Sequence, residues 1–213
     1  MSRRYARVYA SIFCAWLSAC SSTPSKQTPQ LDAPEEQIVT PQEATLRFDR
    51  AVSLLGAGDL QQAEKEFRSL HDEYPLYFAP LANLGAVYLK RDRPVEAEAA
   101  LRAALEIEPN NAPVLNQLGI VYRMLGKFSD AEAAYLRAVE VDGNYAPTYR
   151  NLGVLCDLYL QQPKRALEAF ERYQTTVQSD PKVAAWVQEL RTRMGIDAAS
   201  GATSNGADAR GEP

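Results

Sequence analysis

Histidine is nearly absent from this 213-residue chain: there is one, His71, accompanied by only three cysteines. A zinc finger or histidine-rich centre needs about four converging nitrogen and sulfur ligands, so neither is available, and no metal or other cofactor is expected. An excess of basic charge is missing as well. Acidic side chains outnumber basic ones 27 to 23, which argues against a nucleic-acid partner, since that footprint is strongly positive. Nor does the apolar stretch Val8–Ala19 suffice as a membrane span. It carries no charge, but as a helix it reaches only about 18 Å against a hydrocarbon core of roughly 30 Å. What is present is ordinary globular material: 46% hydrophobic and 23% charged residues, so most of the chain should fold.

The amino terminus reads as an export signal. Arg3, Arg4 and Arg7 form a basic head, and Val8–Ala19 follows without a polar stripe at helical spacing, so a short secretory segment fits better than an amphipathic helix. The run ends in Leu17-Ser18-Ala19-Cys20, which resembles a bacterial lipobox. That resemblance implies cleavage before Cys20 and attachment of diacylglyceryl and acyl chains there. Ordinary cleavage with Cys20 left as a free thiol is the alternative. Ser21 and Ser22 follow, with no aspartate directly after the cysteine, the pattern that implies sorting to the outer membrane in enterobacteria-like systems. Without residues 1–19 the chain has 20 basic and 27 acidic side chains, a formal charge of −7, and such a body is not drawn onto an anionic lipid surface. Cys14 leaves with the signal and Cys20 is committed to lipid, so Cys156 has no disulfide partner.

Residues 21–41 are rich in Ser, Thr, Gln and Pro, too polar to bury enough surface to offset ordering entropy, and are read as a tether. Thr40-Pro41-Gln42-Glu43 then combines a capping-box pattern with proline at the first helical position, so the first helix should begin there. From this point the chain repeats itself. Leu84-Gly85, Leu118-Gly119 and Leu152-Gly153 stand 34 residues apart, as do Tyr88, Tyr122 and Cys156, and Ala63, Ala97 and Ala131. Within a unit, Leu81, Leu84, Gly85 and Tyr88 follow the i, i+3, i+4, i+7 spacing of a helix. Glycine and alanine belong where paired helices approach closely, and a large apolar residue (Phe67, Leu101, Tyr135, Phe170) belongs between them. Prolines 75, 80, 94, 109, 113, 147 and 163 all fall in turns or first turns, where a missing N–H costs little. A period of this length means stacked helical hairpins, each dependent on its neighbours for a core.

These columns resemble the tetratricopeptide repeat (TPR) family. The resemblance implies an all-α, right-handed solenoid of about four hairpins. Their bounds are near 44–77, 78–111, 112–145 and 146–180, with a capping helix over 181–194, inside a domain of residues 41–194. Residues 1–19 are then the signal, 20–40 the attachment site and tether, and 195–213 a disordered tail. Repeat 1 departs from the pattern with Arg50-Ala51 in place of Leu-Gly. Repeat 4 is one residue longer, because Ala131 to Ala166 is 35 while Leu118 to Leu152 is 34; an altered turn is expected within Leu158–Arg165.

No constellation points to catalysis. His71 has no nucleophile at a suggestive spacing. Cys156 sits in the tyrosine column and reads as a core thiol. Glu96 with Glu98, and Glu106 with Glu108, read as solvated charge. No catalytic residue is assigned. The resemblance instead directs attention to the first helix of each hairpin, which lines the concave face in this family. Carried onto this chain, repeat 1 contributes Phe48, Val52 and Leu55; repeat 2 contributes Ala82, Ala86 and Leu89. Repeat 3 contributes Asn116, Ile120 and Arg123; repeat 4 contributes Arg150, Val154 and Asp157. Asn83 and Asn151, which precede Leu-Gly pairs, are placed to bond a peptide backbone, with a framework role, common for asparagine there, as the alternative. Such a groove, apolar at one end and holding Arg123 and Arg150 near the other, suits a segment with hydrophobic anchors and an acidic group. It does not resemble the chaperone-tail clamp of some TPR proteins, because the lysine and asparagine columns of that clamp hold Phe48, Val52, Asn83, Pro113 and Gln117.

Lipobox, tether and repeat body together resemble bacterial outer-membrane TPR lipoproteins, including pilotins of type IV pilus secretins and related assembly factors. The implied role is a non-catalytic, protein-binding scaffold of the cell envelope, held to the membrane by lipid and facing the periplasm. An adaptor that brings a protease or peptidoglycan hydrolase to its substrates is the alternative. Pairing of two copies through the end units, with Phe48 and Trp186 as contacts, also remains open.

Overall fold

The computed structural model describes residues 41–177 and 179–196. Among these residues there are nine helices and no strand: α1 (Pro41–Ala57), α2 (Leu60–Glu73), α3 (Phe78–Lys90), α4 (Pro94–Ile107), α5 (Ala112–Met124), α6 (Phe128–Val141), α7 (Ala146–Leu158), α8 (Pro163–Thr176) and α9 (Pro181–Arg193). The signal segment, Cys20, the tether before residue 41 and the tail from residue 197 lie outside the described residues.

Helix starts follow the punctuation of the sequence. Proline opens α4, α8 and α9. Side-chain caps are made by Asp59, Asn111 and Asp180, which accept bonds from Gln62 N (3.2 Å), Val114 N (3.1 Å), and Lys182 and Val183 N (3.1 and 3.2 Å). Each satisfies amide groups the first turn would otherwise leave bare.

The helices pack as four hairpins in series, α1 with α2 through α7 with α8, and each second helix also packs on the first helix of the next unit. First helices touch across units (α1 with α3, α3 with α5, α5 with α7), whereas second helices make no comparable contact with one another. The stack therefore curves with the first helices on its inner side. This is an all-α solenoid, and its buried columns are those of the repeat. Ala63, Ala97, Ala131 and Ala166 are wholly buried, and so are Phe67, Leu101 and Tyr135, with Phe170 nearly so. A Cβ added at Gly85, Gly119 or Gly153 would lie within about 2.5 Å of Leu101, Tyr135 or Phe170 respectively. The glycines are there because a large side chain of the second helix crosses directly over the first.

Turns between paired helices share one geometry. A residue with positive φ (Gly58, Asp92 and Gly126) ends each first helix, and the next amide reaches back five residues: Asp59 N to Leu54 O (3.0 Å), Arg93 N to Tyr88 O (2.9 Å) and Lys127 N to Tyr122 O (2.9 Å). That is the Schellman closure of a helix C-terminus. In the fourth unit Gln161 takes the positive φ of +55°, and Gln162 N reaches back six residues to Cys156 O (2.8 Å). The extra residue is absorbed by widening the closing ring, and the hairpin is kept.

The last helix continues the register. Pro113, Pro147 and Pro181 are 34 apart, so α9 stands where the first helix of a fifth unit would, with no second helix paired to it among the described residues. Val187, 6% exposed, stands in the glycine column, and its side chain fills the space a crossing second helix would need. Trp186 stacks on Phe170 at 5.4 Å and seals the end.

Candidate partner-binding surface

An ion-pair ladder fixes how successive units meet. Glu64, Glu98 and Glu132, 34 residues apart on α2, α4 and α6, each reach a basic residue of the following unit: Glu64 meets Arg91 and Arg93, Glu98 meets Lys127 (2.7 Å) and Glu132 meets Arg165 (2.5 Å). The cations also lie over the tyrosine column, Arg93 over Tyr88 at 4.9 Å and Lys127 over Tyr122 at 5.6 Å. Where Cys156 replaces that tyrosine, Gln162 replaces the cation, and Arg165, one turn further on, takes over the pair with Glu132 while bonding Gln162. The reading of Glu98 as solvated is corrected here, while Glu96 keeps a 44% exposed side chain. Glu96 pairs with Arg93 at 2.9 Å, and Glu98, 15% exposed, is held between Lys127 and Arg102. For Glu98 the neighbouring unit supplies, in Lys127, a cation that α4 considered alone does not show.

The inner face carries the predicted groove residues in three groups. At the amino-terminal end Val52 is exposed, Leu55 is half-buried, and Phe48 is half-buried between Phe67 (5.8 Å) and Tyr77 (5.4 Å). In α3, Ala82 is buried, while Ala86 and Leu89 are half-buried and form a shallow apolar floor. Ile120 and Val154 continue it on α5 and α7, both half-buried. The three asparagines are already engaged. Asn83 donates to the Ala79 carbonyl of its own helix (2.9 Å), and Asn151 donates to Asn116 Oδ1 (2.9 Å), tying α7 to α5. Asn116 is buried, so this bond satisfies a group that would be costly to leave bare. Asp157 pairs with Arg193 of α9. The dimer contacts suggested by sequence are also occupied within the chain: Phe48 as described, and Trp186 by Phe170, Arg150 (5.5 Å) and Lys182 (5.3 Å).

Arg123 is different. Its Nη1 donates to the Tyr159 hydroxyl (3.3 Å) and its guanidinium carbon lies 5.6 Å from that ring, which in turn packs on Phe128 at 4.8 Å. The Tyr135 hydroxyl lies close by, yet neither it nor Arg123 Nε has a partner at bonding geometry. Burial opposes the Arg123 charge, but the two phenols outweigh it and hold its pKa above the usual arginine value. Burial pushes the Tyr135 phenol up to about 12, although the adjacent cation pulls the other way. Among the described residues no carboxylate lies within ion-pairing distance of Arg123, whereas Arg47, Arg91, Arg93, Arg165, Arg191 and Arg193 each have one.

Tyr159 and Phe128 did not emerge from the sequence. The signal that finds Tyr159 is the 35-residue spacing, which places it in the widened turn. Of the remaining candidates, Cys156 is wholly buried and burial raises its thiol pKa, and His71 is half-buried with Nδ1 unpartnered. Among the described residues no group of three or more His, Cys, Asp or Glu could hold a metal, and no helix is long and apolar enough to cross a membrane.

Residues 77–144 match the family model of the tetratricopeptide repeat. That matched stretch, the second and third hairpins, is tetratricopeptide repeat. Solved structures similar to it include pilF of Pseudomonas aeruginosa, at 24% identity and TM-score 0.67 over 72% of this chain and 69% of that one. MamA is similar at 20% identity and TM-score 0.63, over 78% and 98%. The first TPR of Spaghetti (RPAP3), solved bound to an HSP90 peptide, is similar at 20% identity and TM-score 0.53, over 55% and 95%. None of the curated proteins matches the chain. These likenesses are to the fold.

Proposed function

We propose that this chain is a non-catalytic scaffold, lipid-anchored at Cys20 in the bacterial periplasm, whose inner face grips a segment of an envelope protein during assembly of a complex such as a type IV pilus or secretion system. The observation that carries the reading is the recurrence of apolar residues at matching positions of consecutive first helices, Val52, Ala86, Ile120 and Val154 at 34-residue intervals with Leu55 and Leu89 one turn on. Aligned helices present side chains to an extended or helical ligand at regular intervals, which is how grooves of this kind select hydrophobic anchors. The likeness to pilF of P. aeruginosa and the Leu17-Ser18-Ala19-Cys20 run support the envelope setting.

Co-purification of the full chain from membranes in mild detergent, with mass spectrometry of the retained proteins, tests the proposal. Recovery of pilus or secretion components is the expected result. Recovery of a protease or peptidoglycan hydrolase in their place would favour the adaptor role. Cys20→Ala should release the chain from the membrane fraction, and a variant that stays bound to membranes would refute the lipid anchor.

A further inference from the structure

We propose that Arg123, held by the Tyr159 hydroxyl and backed by the buried Tyr135, forms a receptor for one carboxylate of the bound polypeptide. The inference rests on the inner-face reading above and names the chemistry its carboxyl-terminal half would select. The chain has more acids than bases, 27 to 23, and spends carboxylates freely on arginines that join its units. Among the described residues it nevertheless leaves the half-buried Arg123 without one, as it does Arg150, and of the two only Arg123 is held by a hydroxyl. The nearest acid on the same helix row of the next unit, Asp157, is held by Arg193.

Tyr159 accepts from Arg123 Nη1, which leaves its own proton to donate, and it is 40% exposed. Tyr135 is fully buried, with its ring over Gly119 and its hydroxyl unpartnered next to the guanidinium. A carboxylate meeting the guanidinium and the Tyr159 hydroxyl would complete a set of donors that no described residue fills. One fixed cation and neutral phenols balance a single negative charge rather than two, so a carboxylate is favoured over a phosphate. A planar guanidinium also matches carboxylate geometry.

The test uses the full chain and two capped peptides, acetyl-Leu-Glu-Leu-Leu-amide and its Gln counterpart, followed by NMR of the arginine Nε–H and of the Val52, Ile120 and Val154 methyl groups. The glutamate peptide should bind about tenfold more tightly, the scale of a charge-assisted pair. That advantage should vanish in Arg123→Gln and fall severalfold in Tyr159→Phe. Val52→Asp, far from the cluster, should weaken both peptides alike. Equal affinities in the wild-type chain, no saturable Arg123 shift up to 10 mM peptide (on the order of the weakest specific contacts), or an equal shift from acetate alone would overturn the receptor. Methyl shifts with the glutamine peptide would then leave the groove standing, whereas no methyl shift with either peptide would count against the groove as well.

Discussion

Substituting Gly119 by alanine separates the two forces that set helix spacing in this solenoid. By intrinsic propensity alone, glycine to alanine inside a helix is favourable by about 1 kcal/mol. At Gly119 the added Cβ would stand 2.4, 2.6 and 2.8 Å from Cε1, Cδ1 and Cζ of Tyr135. A ring that is wholly buried cannot swing clear as an exposed side chain would, so α5 and α6 must separate or the ring must leave its rotamer. Overpacking of this kind costs roughly 1–3 kcal/mol, and contacts this short belong at the upper end. The net loss should be about 2 kcal/mol, or roughly 4–8 °C in Tm for a chain of this size. Gly56→Ala is the control: it lies in α1 with nothing within 4 Å of the added carbon, and should be neutral to stabilising by up to about 1 kcal/mol. Thermal unfolding followed by far-UV circular dichroism reads both. If the two substitutions shift Tm in the same direction, the close crossing of Tyr135 over Gly119 is not what fixes that glycine.

Three further outcomes follow from the turn, the ladder and the buried phenol. Gln161 holds φ +55°, a conformation that costs a non-glycine residue about 1 kcal/mol or more; Gln161→Gly should raise Tm by a few degrees, and a drop would refute the strained turn. A double-mutant cycle on Glu98→Gln and Lys127→Met, whose carboxylate and ammonium are 2.7 Å apart, should give a coupling of roughly 0.5–1 kcal/mol that shrinks in molar salt; a coupling indistinguishable from zero at low salt would remove the ladder as an energetic feature. Tyr135 has a folded-state pKa of about 12 against about 10 unfolded, so its contribution is complete below pH 10 and lost as pH rises toward 12, where the unfolded chain ionises first. Urea titrations at pH 8 and 11 should show a loss that Tyr135→Phe reduces by about 1–2 kcal/mol, and an unchanged slope in that variant would refute the assignment.

The repeat was legible because it is built from local steric demands, and the inner face was less so because its chemistry is assembled between units. Gly85, Gly119 and Gly153 announce a close crossing, and Leu101, Tyr135 and Phe170, sixteen or seventeen residues later, announce what crosses. These are one-to-one demands between two columns, and spacing alone recovers them. The departure in the fourth unit was equally visible as one added residue, although the sequence could not say that a wider ring at Gln162 would absorb it. Glu98 illustrates the opposite case. On α4 it sits among exposed acids and reads as solvated, and only the docking of the next hairpin brings Lys127 to it. Arg123 makes the same point in reverse, since its column marks the inner face while its character comes from Tyr135 one helix away and Tyr159 one unit away. A residue whose role depends on three elements leaves no periodic trace when two of them occur once. Tyr159 occurs only in the lengthened turn, so the irregularity that interrupts the repeat pattern is also what places the Tyr159 hydroxyl beside Arg123.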